Sequence, residues 1–179
     1  MAESVLKATN LGISFGGLRA VHDFEIDLKE GELVGLIGPN GAGKTTVFNL
    51  FTGVYKPTEG AFYLDGKLMN GKKTHEIVAA GIARTFQNIR LFKKMTVMEN
   101  VLIAFTKDIQ YGLPGAVIRS GGFWREEAEI REKAMELLTV FNLQDKADWN
   151  AGNLPYGQQR KLEIARALAT KAHMLLLDE

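Results

Sequence analysis

The chain has 179 residues, with 22 lysines and arginines against 21 aspartates and glutamates, and it contains no cysteine. This length suits one compact domain, and the lack of cysteine excludes disulfides and thiolate metal sites. The near-zero net charge gives no general attraction to nucleic acid, so no nucleic-acid partner is expected. The longest apolar runs, such as Val101–Phe105, are far too short to span a bilayer, so any membrane connection is expected to pass through a partner protein.

The first predicted elements are strands. Apolar and polar residues alternate at Phe24–Leu28 and again at Ala61–Leu64, which predicts two half-buried strands, and the second of them ends in the turn pair Asp65-Gly66. Between them, the mostly apolar run Glu32–Ile37 predicts a further strand that leads directly into a glycine-rich loop.

That loop, residues 38–45, fits the pattern G-x-x-x-x-G-K-[ST] without a gap. Gly38, Gly41 and Gly43 allow the backbone to turn with its N–H groups pointing inward, which forms a concave nest for the β- and γ-phosphates. Because a predicted strand precedes the loop and a predicted helix follows it, we interpret the segment as a nucleotide triphosphate site. A chance match in an ordinary glycine-rich turn is the alternative.

Two side chains and the next helix complete the predicted site. Lys44 supplies a positive charge for the phosphates, and Thr45 supplies a hydroxyl for Mg²⁺. The helix predicted at Lys44–Thr52, with Gly53 just beyond its end, directs the positive end of its dipole at the same anion.

The middle of the chain is predicted to be helical from Thr96 to Leu143, with a break at the glycine- and proline-bearing stretch Tyr111–Gly122. Helical spacing after the break places several apolar residues on one face, which predicts packing against a core rather than a binding groove. The members of this stripe are Ala134, Met135, Leu137, Leu138 and Phe141.

The chain ends with Met174–Leu177, a run typical of a buried strand, followed by Asp178 and Glu179. In phosphate-loop enzymes an acid at the tip of such a strand holds Mg²⁺, and a neighbouring carboxylate can polarise the attacking water. The sequence therefore assigns the metal to Asp178 and the water to Glu179. The alternative is a surface strand end that carries two acids.

Two further segments, Arg84–Gln87 and Leu154–Arg160, complete the order Walker A, glutamine loop, signature and Walker B, and with that order the chain resembles the ABC transporter ATPases. The resemblance implies an α/β fold, a P-loop NTPase core of ABC-ATPase type with an antiparallel β subdomain and a helical subdomain. It also implies a chain truncated after the Walker B strand, able to form a nucleotide pocket but poor at hydrolysis. The implied segments are 1–87 for the β subdomain and P-loop core, 88–153 for the helical subdomain, and 154–179 for the signature helix and Walker B strand.

The same resemblance implies roles for individual residues. Gln87 would touch Mg²⁺ and the attacking water, the signature would cap the ATP of an opposite subunit, and Phe15 would stack on adenine unless it is a core residue at a strand end. The implied catalytic residues are Glu179, Gln87 and Lys44, and the implied metal ligands are Thr45, Gln87 and Asp178. The implied ATP-binding residues are Phe15, Gly38, Pro39, Asn40, Gly41, Ala42, Gly43, Lys44, Thr45, Thr46, Tyr156, Gly157 and Gln158.

The signature departs from the family pattern L-S-G-G-Q at Pro155 and Tyr156. Proline offers neither a hydroxyl nor a backbone N–H to a γ-phosphate, so we expect a weaker clamp that still works through Gly157 and the helix N-terminus. A Pro-Tyr-Gly turn before a helix at Gln158–Thr170 fits the same residues.

Phe15–Val21, Arg84–Phe92 and Leu162–Arg166 look like the ATPase subunits of branched-chain amino acid importers. That likeness implies hydrolysis of ATP with Mg²⁺ at an interface with a second ABC ATPase subunit, identical or related. The implied location is peripheral, on the cytoplasmic face of the membrane, with permease subunits as direct partners and a periplasmic or extracellular substrate-binding protein as an indirect one.

Other functions fit part of the same sequence. An ABC transporter for another substrate and a soluble ABC ATPase share every catalytic motif. A GTPase would need an N-K-x-D or T-K-x-D guanine motif, which the sequence lacks, and neither a GTPase nor a small kinase explains the signature at Leu154–Arg160. Within the transporter interpretation, apolar residues after Gln87 are candidates for a groove that accepts a permease helix, with ordinary core as the alternative. They are Ile89, Leu91, Phe92 and Met95.

Overall fold

The computed structural model describes residues 4–108 and 121–178, and their contacts divide them into two compact units. The first unit holds the residues up to Arg84 together with His173–Asp178, and the second holds Thr85–Ala172. The chain therefore leaves the first unit after Arg84 and returns to it for its last described strand. No helix in the described part of the chain is both long and apolar enough to cross a membrane.

An antiparallel sheet forms much of the first unit. Its strands are β1 (Ser4–Phe15), β2 (Leu18–Lys29), β3 (Glu59–Leu64) and β4 (Lys67–Leu68). They lie in the order β2-β1-β3-β4. The two predicted strands are confirmed, because Phe24–Leu28 lies in β2 and Ala61–Leu64 lies in β3.

The local sequence explains both confirmed strands. In β2, Phe24, Ile26 and Leu28 pack against the core and the acidic residues between them are exposed, which is the alternation that predicted the strand. The hairpin from β3 to β4 turns on Asp65 and Gly66, whose φ angles are 47° and 71°. An Asp-Gly pair suits a two-residue turn of this kind because both central residues need a positive φ.

The remaining elements of the first unit surround its core. They are α1 (Lys44–Phe51), α2 (Thr74–Ala80), β5 (Ile82–Arg84) and β6 (Met174–Leu176). Strands β5 and β6 pair in parallel. Helix α1 ends one residue before its predicted end, and Gly53 follows with a φ of 68°, so the predicted glycine stop is confirmed. The largest fully buried side chains here are Leu6, Leu11, Leu50, Phe62, Leu64, Ile77 and Ile82.

The strand predicted at Glu32–Ile37 is wrong. This segment has no regular secondary structure, and Leu33 and Ile37 are 96% and 94% exposed. A strand needs a neighbour for its backbone N–H and C=O groups, and no strand in the described part of the chain pairs with this segment. Apolar composition alone therefore did not make it a strand.

The second unit is helical. Its helices are α3 (Val97–Leu102), α4 (Gly121–Val140) and α5 (Tyr156–Ala169). The predicted stripe on α4 is confirmed as packing, because Ala134 and Leu138 are fully buried and its other members pack against the same cluster. Most of the predicted break at Tyr111–Gly122 lies outside the described residues, and α4 begins at Gly121. The short helix-like turns are Ile103–Asp108, Gln144–Lys146 and Ala151–Asn153.

Candidate nucleotide site

The glycine-rich loop turns on two glycines in the left-handed region. Gly41 and Gly43 both have a φ of 85°, whereas Gly38 does not have a positive φ. Gly43 is also the N-cap of α1, and a Cβ added to it would lie 2.6 Å from the carbonyl oxygen of Ala20. The position therefore requires glycine twice over, once for its backbone conformation and once for the close approach of β2.

Lys44 is the first residue of α1 and bends back over the loop. Its Nζ donates hydrogen bonds to the carbonyl oxygens of Gly38 and Pro39, at 2.6 Å and 2.9 Å. The ammonium is thus held beside the loop backbone, at the positive end of the α1 dipole, where an anion would be bound. Thr45 is exposed and Thr46 half-buried in the first turn of the same helix, so the loop and this turn together fit a chain of phosphates.

Asp178 does not stand alone at the end of β6. Its Oδ2 accepts a hydrogen bond from Nη2 of Arg84 at 2.5 Å, and the two side chains are only 15% and 5% exposed. Nη1 of the same guanidinium donates to Oδ1 of Asn49 on α1 at 2.7 Å. Arg84 therefore links the predicted metal-binding carboxylate to the helix that begins at Lys44.

These contacts bear on the predicted metal ligands. Asp178 and Thr45 offer a carboxylate and a hydroxyl, which are oxygen donors of the kind that Mg²⁺ prefers. Because Oδ2 of Asp178 is already paired with Arg84, the arrangement fits contact with the ion through a water molecule better than direct contact through that oxygen. Among the described residues, no group of three or more histidines and carboxylates is placed to hold a metal by itself. Glu179, the carboxylate predicted to act on the attacking water, lies outside the described residues.

Phe15 lies at the end of β1 and is 44% exposed, so it is not part of the core. Its ring meets the ring of Tyr55 edge to face, with the centroids 5.1 Å apart. This placement leaves the predicted stacking role as a prediction and removes the core alternative.

In the second unit, helix α5 holds the segment Phe86–Arg90, the glutamine loop. Gln87 itself is exposed, and its carbonyl oxygen accepts a hydrogen bond from Nη2 of Arg160 at 2.6 Å. Nη1 of Arg160 donates to the carbonyl oxygen of Phe86 at 2.5 Å and contacts Glu163 at 3.0 Å. Burial lowers the pKa of the Arg160 guanidinium, but the side chains of Tyr156 and Glu163 outweigh this effect and raise that pKa above its usual value.

The signature residues begin α5. The helix starts at Tyr156, with Pro155 as its N-cap, so it begins two residues before the predicted Gln158. Proline fits this place because its own N–H is missing, while its carbonyl oxygen accepts from the N–H of Gln158 at 2.9 Å. Tyr156 is 67% exposed, and Oε1 of Gln158 accepts from Nζ of Lys146 at 2.7 Å.

The candidate groove after Gln87 contains both core and surface. Leu91 packs against the core of the second unit, and Phe92 is half exposed beneath the guanidinium of Arg166, which lies 5.7 Å from its ring centroid.

Sequence reasoning missed Arg84, Arg160 and Glu163. A signal existed for Glu163, because the helical periodicity of Leu162 and Ala165 places it on the buried face, where a charge needs a partner.

Comparison with known proteins decides the family. Residues 21–179 match the sequence profile described as ABC transporter. The chain belongs to the ABC transporter family. Over all 179 residues it is 45% identical to the high-affinity branched-chain amino acid transport ATP-binding protein BraF of Pseudomonas aeruginosa, and it covers 70% of that protein.

Solved ABC ATPase structures share the fold of this ABC family chain. The ADP conformation of an ATP-binding cassette of an ABC transporter superposes with a TM-score of 0.79 at 34% identity, covering 96% of this chain and 67% of the other. A dimeric post-hydrolysis state of another ATP-binding cassette, bound to ADP and Pi, gives a TM-score of 0.77 at 30% identity, covering 97% and 73%. The predicted P-loop fold of ABC-ATPase type is confirmed.

Proposed function

We propose that this chain is an ATP-binding and ATP-hydrolysing subunit that powers the import of branched-chain amino acids through a membrane permease. The observation that carries the proposal is the likeness, along the whole chain, to a branched-chain amino acid transport ATP-binding protein. The left-handed glycines and the position of Lys44 support the nucleotide-binding part. No residue of the chain is proposed to choose the amino acid.

In the proposed reaction, the loop from Gly38 to Thr46 holds the β- and γ-phosphates through its backbone N–H groups, to which Pro39 contributes none. Lys44 moves its ammonium from the loop carbonyls to phosphate oxygens and offsets their charge as the terminal phosphate leaves. Mg²⁺ would neutralise further phosphate charge, with Thr45 and Asp178 as its protein ligands, Asp178 through water. Gln87 would complete the metal site and, with Glu179, would orient the attacking water.

The partners follow from the same proposal. Tyr156, Gly157 and Gln158 would face the ATP of a second ABC ATPase subunit, and Phe15 would stack on adenine. The chain would work on the cytoplasmic face of the membrane, bound to permease subunits and served indirectly by a periplasmic or extracellular binding protein. The segments 1–87, 88–153 and 154–179 would serve as phosphate-binding core, helical subdomain and signature with Walker B. An ABC transporter for another substrate is the second candidate.

Two measurements test the proposal. Mg-ATP affinity and phosphate release are measured for the wild type, for Lys44→Ala and for Lys161→Gln, an exposed lysine on α5 that serves as the charge-matched control. We expect loss of Mg-ATP binding in Lys44→Ala only, and competition by GTP no stronger than by ATP. Equal binding by Lys44→Ala would refute the ATP site.

The transport part needs a cellular measurement. The chain is produced in cells that lack the ATPase subunit of a branched-chain amino acid importer, and uptake of labelled leucine is followed. Recovery of uptake that depends on Lys44 would support the assignment. If the chain binds ATP but restores uptake of another substrate through a different ABC transporter and not uptake of leucine, the second candidate, an ATPase subunit for that other substrate, is favoured.

A further inference from the structure

Helix α5 carries a buried charge, Glu163, that has no part in the proposed ATPase reaction. Glu163 is only 2% exposed, on a face of the helix that is otherwise lined by Leu162 and Ala165. A carboxylate in such a place lowers stability unless it is paired and hydrogen-bonded. The groups that bond to the Glu163 carboxylate therefore indicate its role.

The groups that hydrogen-bond to its carboxylate either belong to the loop around Gln87 or bind that loop. Oε1 of Glu163 accepts from the backbone N–H of Phe86 at 3.4 Å and from that of Arg90 at 3.3 Å. Oε2 pairs with Arg160 at 3.0 Å. Glu163 therefore holds both ends of the glutamine loop, Phe86 and Arg90.

Arg160 holds the same loop from the carbonyl side. Its two terminal nitrogens donate to the carbonyl oxygens of Phe86 and Gln87, at 2.5 Å and 2.6 Å. A guanidinium is suited to this because its planar fork presents several N–H groups in fixed directions. Phe86 is thus hydrogen-bonded through its N–H to Glu163 and through its carbonyl oxygen to Arg160. Gln87 is held through its backbone carbonyl, and this residue is exposed.

The first turn of the same helix consists of the signature residues Tyr156, Gly157 and Gln158. Arg160 follows Tyr156 by about one helical turn and Gln158 by two residues. The residue that holds the glutamine loop and the signature residues therefore belong to one rigid element. A shift of one would be passed to the other without any flexible connection between them.

We propose that Arg160 and Glu163 are positioning residues that make Gln87 and the signature turn Tyr156–Gln158 move as one piece. The inference rests on the proposed function for the roles of Gln87 and the signature. When nucleotide binding shifts Gln87 in one subunit, the signature turn of the same subunit shifts with it. The contact of that signature turn with the ATP of the other subunit changes as a result.

Hydrogen–deuterium exchange of the whole chain tests this, in the wild type, Glu163→Gln and the control Lys161→Gln, each with and without Mg-AMPPNP. Without nucleotide, we expect about tenfold faster exchange in the glutamine loop of Glu163→Gln, because charge-assisted bonds to Phe86 and Arg90 are weakened. Arg160→Lys keeps the charge but loses the fork, so a smaller acceleration is expected. The control should match the wild type.

With nucleotide, the wild type should show slower exchange at the phosphate loop, at the glutamine loop and at the signature turn. Glu163→Gln should keep the response of the phosphate loop and lose that of the signature turn, a result that a purely stabilising residue would not give. Unchanged exchange in β1 of the first unit and in α4 of the second shows that both units of the variant are folded.

Unaltered glutamine-loop exchange in Glu163→Gln, or a signature response equal to that of the wild type, would overturn the inference. General acceleration that includes β1 would also count against it, because Glu163 would then be a stability residue. If Mg-AMPPNP does not change hydrogen–deuterium exchange at the phosphate loop of the wild type, the proposed function is contradicted. The hold of Arg160 and Glu163 on the glutamine loop is still tested by the comparison of exchange without nucleotide.

Discussion

Arg84 ties three elements of the first unit together through its guanidinium, because it bonds Asp178 after β6 and Asn49 on α1 and belongs itself to β5. We expect Arg84→Ala to lower the free energy of unfolding by about 3 kcal/mol, because it removes the guanidinium that pairs with the mostly buried carboxylate of Asp178. Urea denaturation of both proteins measures the difference.

A matched pair of variants separates burial from charge in this experiment. Arg19 pairs with Glu59 at 2.8 Å, but both side chains are about half exposed, so Arg19→Ala should cost under about 1 kcal/mol. Combining Arg84→Met with Asp178→Asn should recover most of the loss, because neither position then carries a charge. Equal effects of Arg19→Ala and Arg84→Ala would show that the Asp178 pair is not buried in solution.

The two left-handed glycines of the phosphate loop make a second comparison at this scale. Gly41→Ala meets nothing within 4 Å and carries only the cost of its φ, so a loss of about 1 kcal/mol is expected. Gly43→Ala adds a Cβ 2.6 Å from the carbonyl of Ala20, so a loss of about 3 kcal/mol and weaker Mg-ATP binding are expected. Denaturation and nucleotide titration give both values, and indistinguishable variants would contradict the close contact.

At the scale of elements, helix α2 carries a pH-dependent contribution at its start. The backbone N–H of Lys73 donates to Oε2 of Glu76 at 2.7 Å and lowers the pKa of Glu76; desolvation opposes this, and the charge of Lys72 adds to it. A lowered folded-state pKa means that the unfolded chain binds the proton first. The contribution is therefore complete above the ordinary pKa of a glutamate and is lost as the pH falls through the lowered one.

Glu76→Gln should remove that dependence. Urea midpoints from pH 7 down to about pH 3 should fall more steeply for the wild type than for the variant, and the two curves should converge at the acid end. Parallel curves over the whole range would mean that the carboxylate of Glu76 has the same pKa in the folded and unfolded chain.

Elements with local causes were predicted well. Alternation predicted β2 and β3, the Asp65-Gly66 pair predicted the turn after β3, and Gly53 marked the end of α1. The segment Glu32–Ile37 failed for a physical reason, because a strand depends on a neighbouring strand that composition does not reveal. Helix α5 began earlier than predicted because Pro155 serves as a cap, a role that the turn interpretation did not consider.

At the scale of the whole molecule, the partners of the site residues could not be predicted. The loop at 38–45 was found because its chemistry is local. Arg84 and Asp178 are 94 residues apart, and Arg160 and Phe86 are 74 apart, so no pattern along the chain connects them. The family order of motifs predicted which segments would carry the site but not which side chains would hold them in place.

The exposed run 33–37 gives a prediction for the molecule in solution. Leu33 and Ile37 lie almost fully in water, and no strand among residues 4–108 and 121–178 pairs with the backbone beside them. This arrangement favours association between chains. Leu33→Ser with Ile37→Ser should lower light scattering at high concentration and change the free energy of unfolding by less than about 0.5 kcal/mol. A large loss of stability would show instead that this run is buried in solution.

The crowding at Gly43 has a genetic consequence. Every amino acid that one nucleotide change in a glycine codon can produce carries a Cβ, and at this position the Cβ would meet the backbone of Ala20, which no rotamer change can move aside. Every missense change that a single nucleotide substitution can produce at this codon therefore brings the same clash. Among variants selected for ATP-dependent growth, the codon should stay glycine while the third base drifts freely.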